Sequence, residues 1–288
     1  MARCWRSIRC SDVSPIMIDL HTHILPGVDD GLQDISEALL MAEDAVAQGV
    51  SVMVATPHLR WGERQELDAL RIRREVADLN ALMQAKGVPI EILPGCEIPL
   101  TADLPERLQR DEWMSLGDSG HAVLVEPPWE QWPPFGKAVI QSLLDAGWSV
   151  VLAHPERHRF FQNHLGLLEE LVQMGVHLQV TTGSLIPGKA SPAAARCAYE
   201  LTERRLVSVV ASDCHGVTHR RCDLGEAAEL LRRTYGPHVA RMLTDGVPRA
   251  LLRGERVEPA QIWKNAPTDE SRWKRLLRAV LRRETDDG

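Results

Sequence analysis

The 288-residue sequence has no apolar run close to the roughly 18 residues that a membrane-spanning helix needs. Its six cysteines form no CxxC pair, which argues against a zinc ribbon or a disulfide framework and favours reduced thiols in the cytoplasm. The sequence also lacks an excess of basic residues, since its 33 Lys and Arg are outnumbered by 40 Asp and Glu. The resulting net charge of −7, without any basic aromatic stripe, argues against nucleic-acid binding.

Short apolar segments alternate with longer helical patterns along the sequence, which has a hydrophobic content of 44%. The predicted strands cover residues 16–20, 50–56, 90–96, 122–126, 149–153, 176–182 and 207–212. The predicted helices cover residues 35–48, 64–85, 137–146, 165–174, 192–204 and 224–235. Seven alternating strands predict an α/β fold with a parallel sheet that is covered on both faces. No GxGxxG motif or phosphate-loop lysine follows a strand, so a closed or nearly closed β/α barrel fits better than an open sheet.

The sequence has neither an internal repeat nor a low-complexity linker, which predicts a single domain over residues 17–254. Residues 1–16 lack the apolar centre of a secretory signal, and we expect them to form a disordered extension. In the remaining tail, residues 255–288, the segment 272–283 holds six basic and no acidic residues. Its apolar positions have helical spacing and predict an amphipathic helix. This helix either docks on the domain or contacts anionic lipid or a membrane-bound partner.

Histidines and carboxylates follow six of the seven predicted strands. The first strand carries Asp19, His21 and His23, and both imidazoles leave it on the same side because side chains alternate along a strand. The later positions are Asp30, His58, Glu97, Glu126, His154, Asp213 and His215. Neutral imidazole combined with carboxylate is a ligand set that suits Zn, Fe and Mn. Because the carboxyl ends of barrel strands form one rim, the pattern predicts a metal centre there.

Six segments of the sequence resemble a known family. They are DLHTHILPGVDDG (19–31), ATPH (55–58), GCEI (95–98), AHPER (153–157), TGSL (182–185) and SDCH (212–215). These segments resemble the PHP (polymerase and histidinol phosphatase) metal-dependent phosphoesterases. Within that family they are most similar to the bacterial tyrosine-protein phosphatases that are encoded with capsular and exopolysaccharide genes. The resemblance extends over roughly residues 17–247.

The resemblance implies a distorted seven-stranded, TIM-like PHP barrel that holds three divalent ions, Mn or Fe before Zn or Co. It places His21, His23, Glu97 and Asp213 on a first ion, with Glu97 bridging to a second ion that Glu126 and His154 complete. It places Asp30, His58 and His215 on a third ion, and it assigns Arg157 and Arg220 to the phosphate. The implied reaction is hydrolysis of phosphotyrosine by a metal-activated hydroxide. The implied substrate is a membrane-associated bacterial tyrosine kinase in the cytoplasm.

Three alternatives stay open at the level of sequence. Cys214 and Arg220 match the Cys-x5-Arg phosphate loop of cysteine-dependent tyrosine phosphatases, in which the thiolate is the nucleophile. A second alternative keeps the metals and changes the substrate to a nucleic acid or to a small phosphate monoester such as histidinol phosphate. A third is a noncatalytic regulator that retains the fold, although the nine intact ligand positions argue against it.

Two features depart from the family pattern. Cys96 and Cys214 lie beside proposed ligands, either as small buried residues or as oxidation-sensitive thiols. The segment 127–136 is rich in proline and tryptophan. It forms either a packed loop or an altered rim around the incoming peptide.

Overall fold

The computed structural model describes residues 17–59, 67–129 and 131–266. Eight strands lie within these residues. They are β1 Met17–Thr22, β2 Val50–Ala55, β3 Glu91–Pro94, β4 Glu97–Pro99, β5 Ala122–Glu126, β6 Ser149–Leu152, β7 His177–Thr181 and β8 Val207–Ala211. The predicted extension 1–16 and the predicted basic helix 272–283 lie outside the described residues. No helix in the described part of the chain is long and apolar enough to cross a membrane.

Each of the six predicted helices has a counterpart in the structure, although residues 64–66 of the predicted helix 64–85 lie outside the described residues and the helix there begins at Ala69. The helices are α1 Ile35–Ala47, α2 Ala69–Lys86, α3 Leu104–Gln109, α4 Gly136–Asp145, α5 Arg159–Asn163, α6 Leu165–Met174, α7 Thr182–Leu185, α8 Pro192–Glu203, α9 Leu224–Tyr235, α10 Pro237–Arg241, α11 Val247–Arg253 and α12 Pro259–Ile262. Asp34 and Asp68 cap α1 and α2, since each carboxylate accepts backbone N–H groups of the first turn. These capped helices cover sheets whose strands are almost entirely buried.

The strands form two parallel sheets instead of the predicted seven-stranded barrel. The first sheet has the order β1-β2-β3, and the second has the order β4-β5-β6-β7-β8. The predicted third strand is divided, because the segment after Pro94 leaves β2 and Glu97–Pro99 pairs with β5. Pro94 has no N–H to extend the ladder, and a Cβ at Gly95 would lie 2.9 Å from Cγ1 of Val54. The fold is therefore α/β and parallel, as predicted, but the seven-stranded barrel is wrong in its strand count and continuity.

The two sheets meet near the carboxyl ends of β1, β2 and β8 and at the amino end of β4. Isolated bridges join Thr22 to Cys214 on one side and His58 to Glu97 on the other. The backbone N–H of His23 donates to the carbonyl of Cys214 over 2.9 Å. Every residue in these contacts is a predicted ligand or its neighbour, so the junction of the sheets assembles the predicted rim.

Candidate metal centre

The two histidines of the first strand are turned toward each other. His21 and His23 are completely buried, and their Nε2 atoms lie 3.2 Å apart. The Nδ1 atom of His21 lies 3.0 Å from Oε1 of Gln179, and that of His23 lies 2.7 Å from Oδ2 of Asp29. An oxygen acceptor at Nδ1 fixes the proton there, which leaves Nε2 with its lone pair. Two lone pairs that face each other at this distance fit a cation between them.

Two buried carboxylate oxygens face the same point. Oε2 of Glu97 lies 3.3 Å from Nε2 of His21, and Oδ1 of Asp213 lies 3.4 Å from the same nitrogen. Neither oxygen has a hydrogen-bond partner among the described residues. A buried carboxylate oxygen without a donor is costly, and a metal ion removes that cost. The four atoms therefore have the chemistry of a metal ligand set.

The remaining predicted ligands surround this set. Glu97 Oε1 lies 2.9 Å from Nε2 of His154, and Glu97 Oε2 lies 3.2 Å from Nδ1 of His58. Oε1 of Glu126 lies 4.0 Å from Nε2 of His154, and Oε2 of Glu126 lies 3.8 Å from Nδ1 of His58. On the outer side, Asp30 Oδ2 lies 3.3 Å from Nε2 of His215. All nine predicted positions thus converge, and their ligand atoms fall into several overlapping groups that could hold metal ions.

The carboxyl groups of the centre have pKa values far from their usual range. Burial alone would raise the pKa of Glu97, but His21 and hydrogen bonds from His154 lower that pKa well below its usual value. The pKa of Asp213 is also lowered, because His21, His154 and the nearby arginines outweigh its burial. Burial and the adjacent Glu97 charge raise the pKa of Glu126 to about 8. A cation bound between the two carboxyl groups would lower this raised pKa, because it stabilises the ionised form of Glu126.

The two predicted phosphate-binding arginines meet at Asp213. Arg157 donates to Oδ2 of Asp213, and Arg220 donates to the same oxygen over 2.6 Å. Asp213 and Arg220 adopt left-handed backbone conformations with φ of 52° and 48°, as does His154 at 29°. Residues other than glycine are strained in the left-handed region of backbone conformation, and such strain is typical of functional sites. The structure thus brings both guanidinium groups to the edge of the proposed ligand set.

Supporting side chains surround the ligand set, and two of them, Asp29 and Gln179, were not predicted from the sequence. Asp29 orients His23, Gln179 orients His21, and the buried His158 lies 3.3 Å from Nδ1 of His154 through its Nε2 atom. Asp19 is buried but accepts from the backbone N–H of Ser212, so it braces the end of β8. The Asp-Asp pair gave a signal for Asp29 without showing which carboxylate supports a histidine. Gln179 gave none, because its contact spans 158 residues of sequence.

The cysteines near the centre are buried small residues. Cys214 is completely buried, and its Sγ atom lies 3.4 Å from Sδ of Met41. A thiol packed against a core methionine faces no phosphate, so the structure does not favour the Cys-x5-Arg alternative. Cys96 is buried against the backbone of Met114, and burial raises the pKa of its thiol to about 12. Both observations favour a structural role for these residues.

A cavity and a groove adjoin at this rim. The cavity has a volume of about 190 Å³ and contains the ligand positions Asp30, His58, Glu97, Glu126, His154, Asp213 and His215. The groove has a volume of about 730 Å³. It is lined by α7 and by the segments that precede α8 and α9, among them Thr182, Lys189 and Arg221. Trp129, Arg157, Asp213 and Arg220 line both. A ligand that enters the cavity can therefore continue into the groove.

Comparisons with known proteins agree with this geometry. A sequence model of the family described as capsular polysaccharide synthesis, CpsB/CapC, matches residues 17–253. The tyrosine-protein phosphatase YwqE of Bacillus subtilis (strain 168) is 35% identical over 84% of this chain and 93% of its own. The tyrosine-protein phosphatase CpsB of Streptococcus pneumoniae is 29% identical over 82% of this chain and 98% of its own.

Solved structures show the same similarity. The structures of YwqE from Bacillus subtilis and CpsB from Streptococcus pneumoniae, unique metal-dependent tyrosine phosphatases, include a chain that matches with a TM-score of 0.80. The match has 33% identity and covers 84% of this chain and 96% of that chain. A phosphotriesterase homology protein from Escherichia coli has a TM-score of 0.55 at 12% identity, covering 83% of this chain and 100% of its own, which indicates a shared fold alone.

Proposed function

The chain belongs to the capsular polysaccharide synthesis CpsB/CapC family, and from that premise we propose that it is a metal-dependent protein-tyrosine phosphatase. The observation that carries the proposal is the convergence of imidazoles and carboxylates beside two arginines. Relatives named as tyrosine-protein phosphatases span nearly their full length in the match. The proposed reaction is the hydrolysis of phosphotyrosine to tyrosine and inorganic phosphate.

The residues of the centre fit a set of divalent ions. We assign His21, His23, Glu97 and Asp213 to one ion, and Glu97, Glu126 and His154 to a second. Asp30, His58 and His215 are assigned to a third. Imidazole and carboxylate ligands suit Mn or Fe, with Zn and Co as further candidates. The unpartnered oxygens of Glu97, Asp213 and Asp30 support this assignment.

The bound ions would lower the pKa of a coordinated water and neutralise charge on the phosphoryl oxygens, which makes hydrolysis possible at neutral pH. The chain's own groups hold the substrate. Arg157 and Arg220 present forked N–H donors that match the geometry of a phosphate. Asp213 accepts hydrogen bonds from both guanidinium groups and so holds them at the centre. The tyrosine leaving group has a pKa of about 10, so it needs less protonation than an alkyl alcohol.

The groove beside the centre supports a peptide substrate. Its volume of about 730 Å³ exceeds that of the ligand-lined cavity, about 190 Å³, and the two share Arg157 and Arg220. A small ester such as histidinol phosphate would leave the groove empty. We infer that the substrate is a phosphotyrosine protein and propose a membrane-associated tyrosine kinase of capsule synthesis as the partner. The four described cysteines are unpaired, which supports a cytoplasmic location.

The direct test is the release of phosphate from a phosphotyrosine peptide by enzyme loaded with manganese. We expect turnover that is lost after chelation and lost in Glu97→Ala, because Glu97 contacts His21, His58 and His154 at once. Asp145→Ala is a matched control, since this carboxylate lies on α4 away from the centre. Activity that survives chelation would contradict the metal mechanism, and a metal-loaded protein inert toward the peptide would contradict the substrate.

A further inference from the structure

An exposed tryptophan stands at the mouth of the ligand-lined cavity. Trp129 follows the end of β5 by three residues and is 47% exposed. It lines both the inner cavity and the groove. Every other residue that lines the inner cavity carries a carboxylate, an imidazole or a guanidinium group. Trp129 is therefore the one apolar surface that a bound ester would meet in this cavity, as far as the described residues go.

The indole of Trp129 is held in place by buried neighbours. Its ring stacks on His158 with a centroid distance of 4.3 Å and an interplanar angle of 13°. It also lies parallel to His154 at 5.8 Å. His158 is completely buried, so it gives the exposed indole a fixed support. An aromatic side chain that is already ordered loses little conformational entropy when it binds a ligand.

The far end of the same loop is also anchored. Trp132 packs edge-to-face against the buried Phe161 with a centroid distance of 5.5 Å. A Cβ at Gly136 would lie 2.5 Å from the Trp132 ring, so this contact requires glycine at that position. Trp129 and Trp132 thus each pack against a buried aromatic ring.

The position of Trp129 matches one part of the substrate. The Arg157 guanidinium carbon lies 5.4 Å from the centre of the indole ring, so a phosphate-binding group and an aromatic surface are adjacent. In phosphotyrosine the phosphate and the aromatic ring are likewise adjacent, separated by one ester oxygen. Phosphoserine and sugar phosphates carry saturated carbon at that place. Aromatic rings that pack on one another gain affinity beyond simple burial.

We propose that Trp129 selects aryl over alkyl phosphate esters by packing against the ring of the bound phosphotyrosine. The inference rests on the proposed function, since it concerns the specificity of the same centre. Trp129 acts on binding and takes no part in the proton or phosphoryl transfers. Its removal should therefore weaken aryl ligands without weakening inorganic phosphate.

The test uses metal-loaded full-length protein and three variants. Trp129→Ala removes the aromatic surface, and Trp129→Phe retains one. Phe135→Ala is the matched control, because Phe135 is an exposed aromatic residue of the same segment that lines neither cavity. Calorimetry gives the Kd of a peptide with a non-hydrolysable phosphonate analogue of phosphotyrosine. Steady-state kinetics give kcat and KM for phosphotyrosine and phosphoserine peptides, and the inhibition constant of inorganic phosphate.

We expect Trp129→Ala to weaken the phosphonate peptide about tenfold and to raise KM for the phosphotyrosine peptide by a similar factor. The kcat for that peptide, the phosphate inhibition constant and the phosphoserine kinetics should stay within about twofold. Trp129→Phe should recover most of the loss, and Phe135→Ala should behave as the wild type. This pattern separates a contact with the ring from a contact with the phosphate.

Two results would overturn the inference. Equal weakening of inorganic phosphate and the phosphonate peptide would mean that Trp129 acts through His158 and His154 on the centre. Unchanged peptide affinity in Trp129→Ala would mean that the ring binds elsewhere. A wild-type protein that releases no phosphate from the peptide would contradict the proposed function instead. In that case Trp129-dependent binding of the phosphonate would still support the inference, and Trp129-independent binding would refute it.

Discussion

The histidines of the centre depend on neighbours that set their orientation. His21 and His23 each turn Nε2 toward Glu97 and Asp213 because Gln179 and Asp29 occupy the Nδ1 atoms. Asp29 also accepts the backbone N–H groups of Gly31 and His58. One buried carboxylate therefore fixes a side chain and two segments of backbone. Such supporting groups fix the tautomer and the ring orientation of a metal-binding histidine.

Asp29→Asn should weaken the centre without removing a ligand. An amide cannot accept on both sides, so either His23 or the backbone N–H groups lose a partner. We expect metal affinity to fall about 10-fold to 100-fold, as measured by competition with a fluorescent metal indicator. Asp44→Asn is the control, because it removes only an ion pair with the exposed Arg221. Equal metal affinity in Asp29→Asn and wild type would refute the supporting role.

Cys214→Ser should leave phosphatase turnover within about threefold of the wild type. The thiol packs against Met41 in the core, so the substitution buries a hydroxyl and costs about 1 kcal/mol of folding free energy. Phosphate release and thermal melting measure the two effects. Cys197→Ser, at a second buried cysteine on α8, should show a similar loss of stability. Loss of all activity in Cys214→Ser, but not in Cys197→Ser, would instead support the hypothesis that Cys214 is the nucleophile.

At the scale of elements, the turn after β1 is the tightest part of the centre. A Cβ at Gly31 would lie 2.3 Å from the carbonyl oxygen of His23 and 3.1 Å from Oδ1 of Asp29. The acidic turn therefore returns directly against the histidine that it supports. Only glycine allows the backbone to approach this closely. The turn after the first strand thus needs its glycine for packing as well as its acidic residues for the metal centre.

Gly31→Ala should displace Asp29 and Asp30 from the centre. The new methyl group has no space beside His23, so we expect a loss of more than about 2 kcal/mol in folding free energy and a metal affinity reduced at least tenfold. Chemical denaturation and metal titration measure both. Gly166→Ala is the matched control, because a Cβ there meets nothing within 4 Å. A Gly31→Ala protein with normal stability and metal binding would contradict this account of the turn.

The elements themselves were largely predictable, and their pairing was not. The apolar segments are local signals, and the structure has strands and helices at these positions. The division of the third strand depends on which neighbour offers hydrogen bonds after Pro94. That choice is made by distant segments, as is the contact between His21 and Gln179. All nine predicted ligands converge, because parallel strands place their carboxyl ends on one rim.

At the scale of the whole molecule, the centre lies between the two sheets. His21 lies in β1 and His23 follows that strand directly, whereas Glu97 and Glu126 lie in β4 and β5 of the other sheet. His154 follows β6 of the same sheet by two residues. Two isolated backbone bridges, Thr22 to Cys214 and His58 to Glu97, join the sheets. Ions bound to ligands from both sides would add further links across this junction.

Metal removal should therefore lower the thermal stability of the whole protein. Chelation leaves Oε2 of Glu97 and Oδ1 of Asp213 buried without a hydrogen-bond partner. Binding of a ligand to the folded state alone stabilises that state by about 2.7 kcal/mol at 100 times Kd. We expect Tm to fall by at least about 5 °C and to recover when manganese is restored. The Glu97→Ala protein should respond less to the chelator. Identical melting with and without chelator would contradict a link between the ions and the sheets.

The division of strands between the sheets also orders the assembly of the catalyst in time. The first sheet uses only residues up to Pro94, and the second begins at Glu97. The early half supplies four proposed ligands but neither arginine, and the later half supplies the rest up to Arg220. During synthesis on the ribosome, the set stays incomplete until the last of these residues has emerged. The nascent chain thus gains its hydrolytic capacity only when both halves have met.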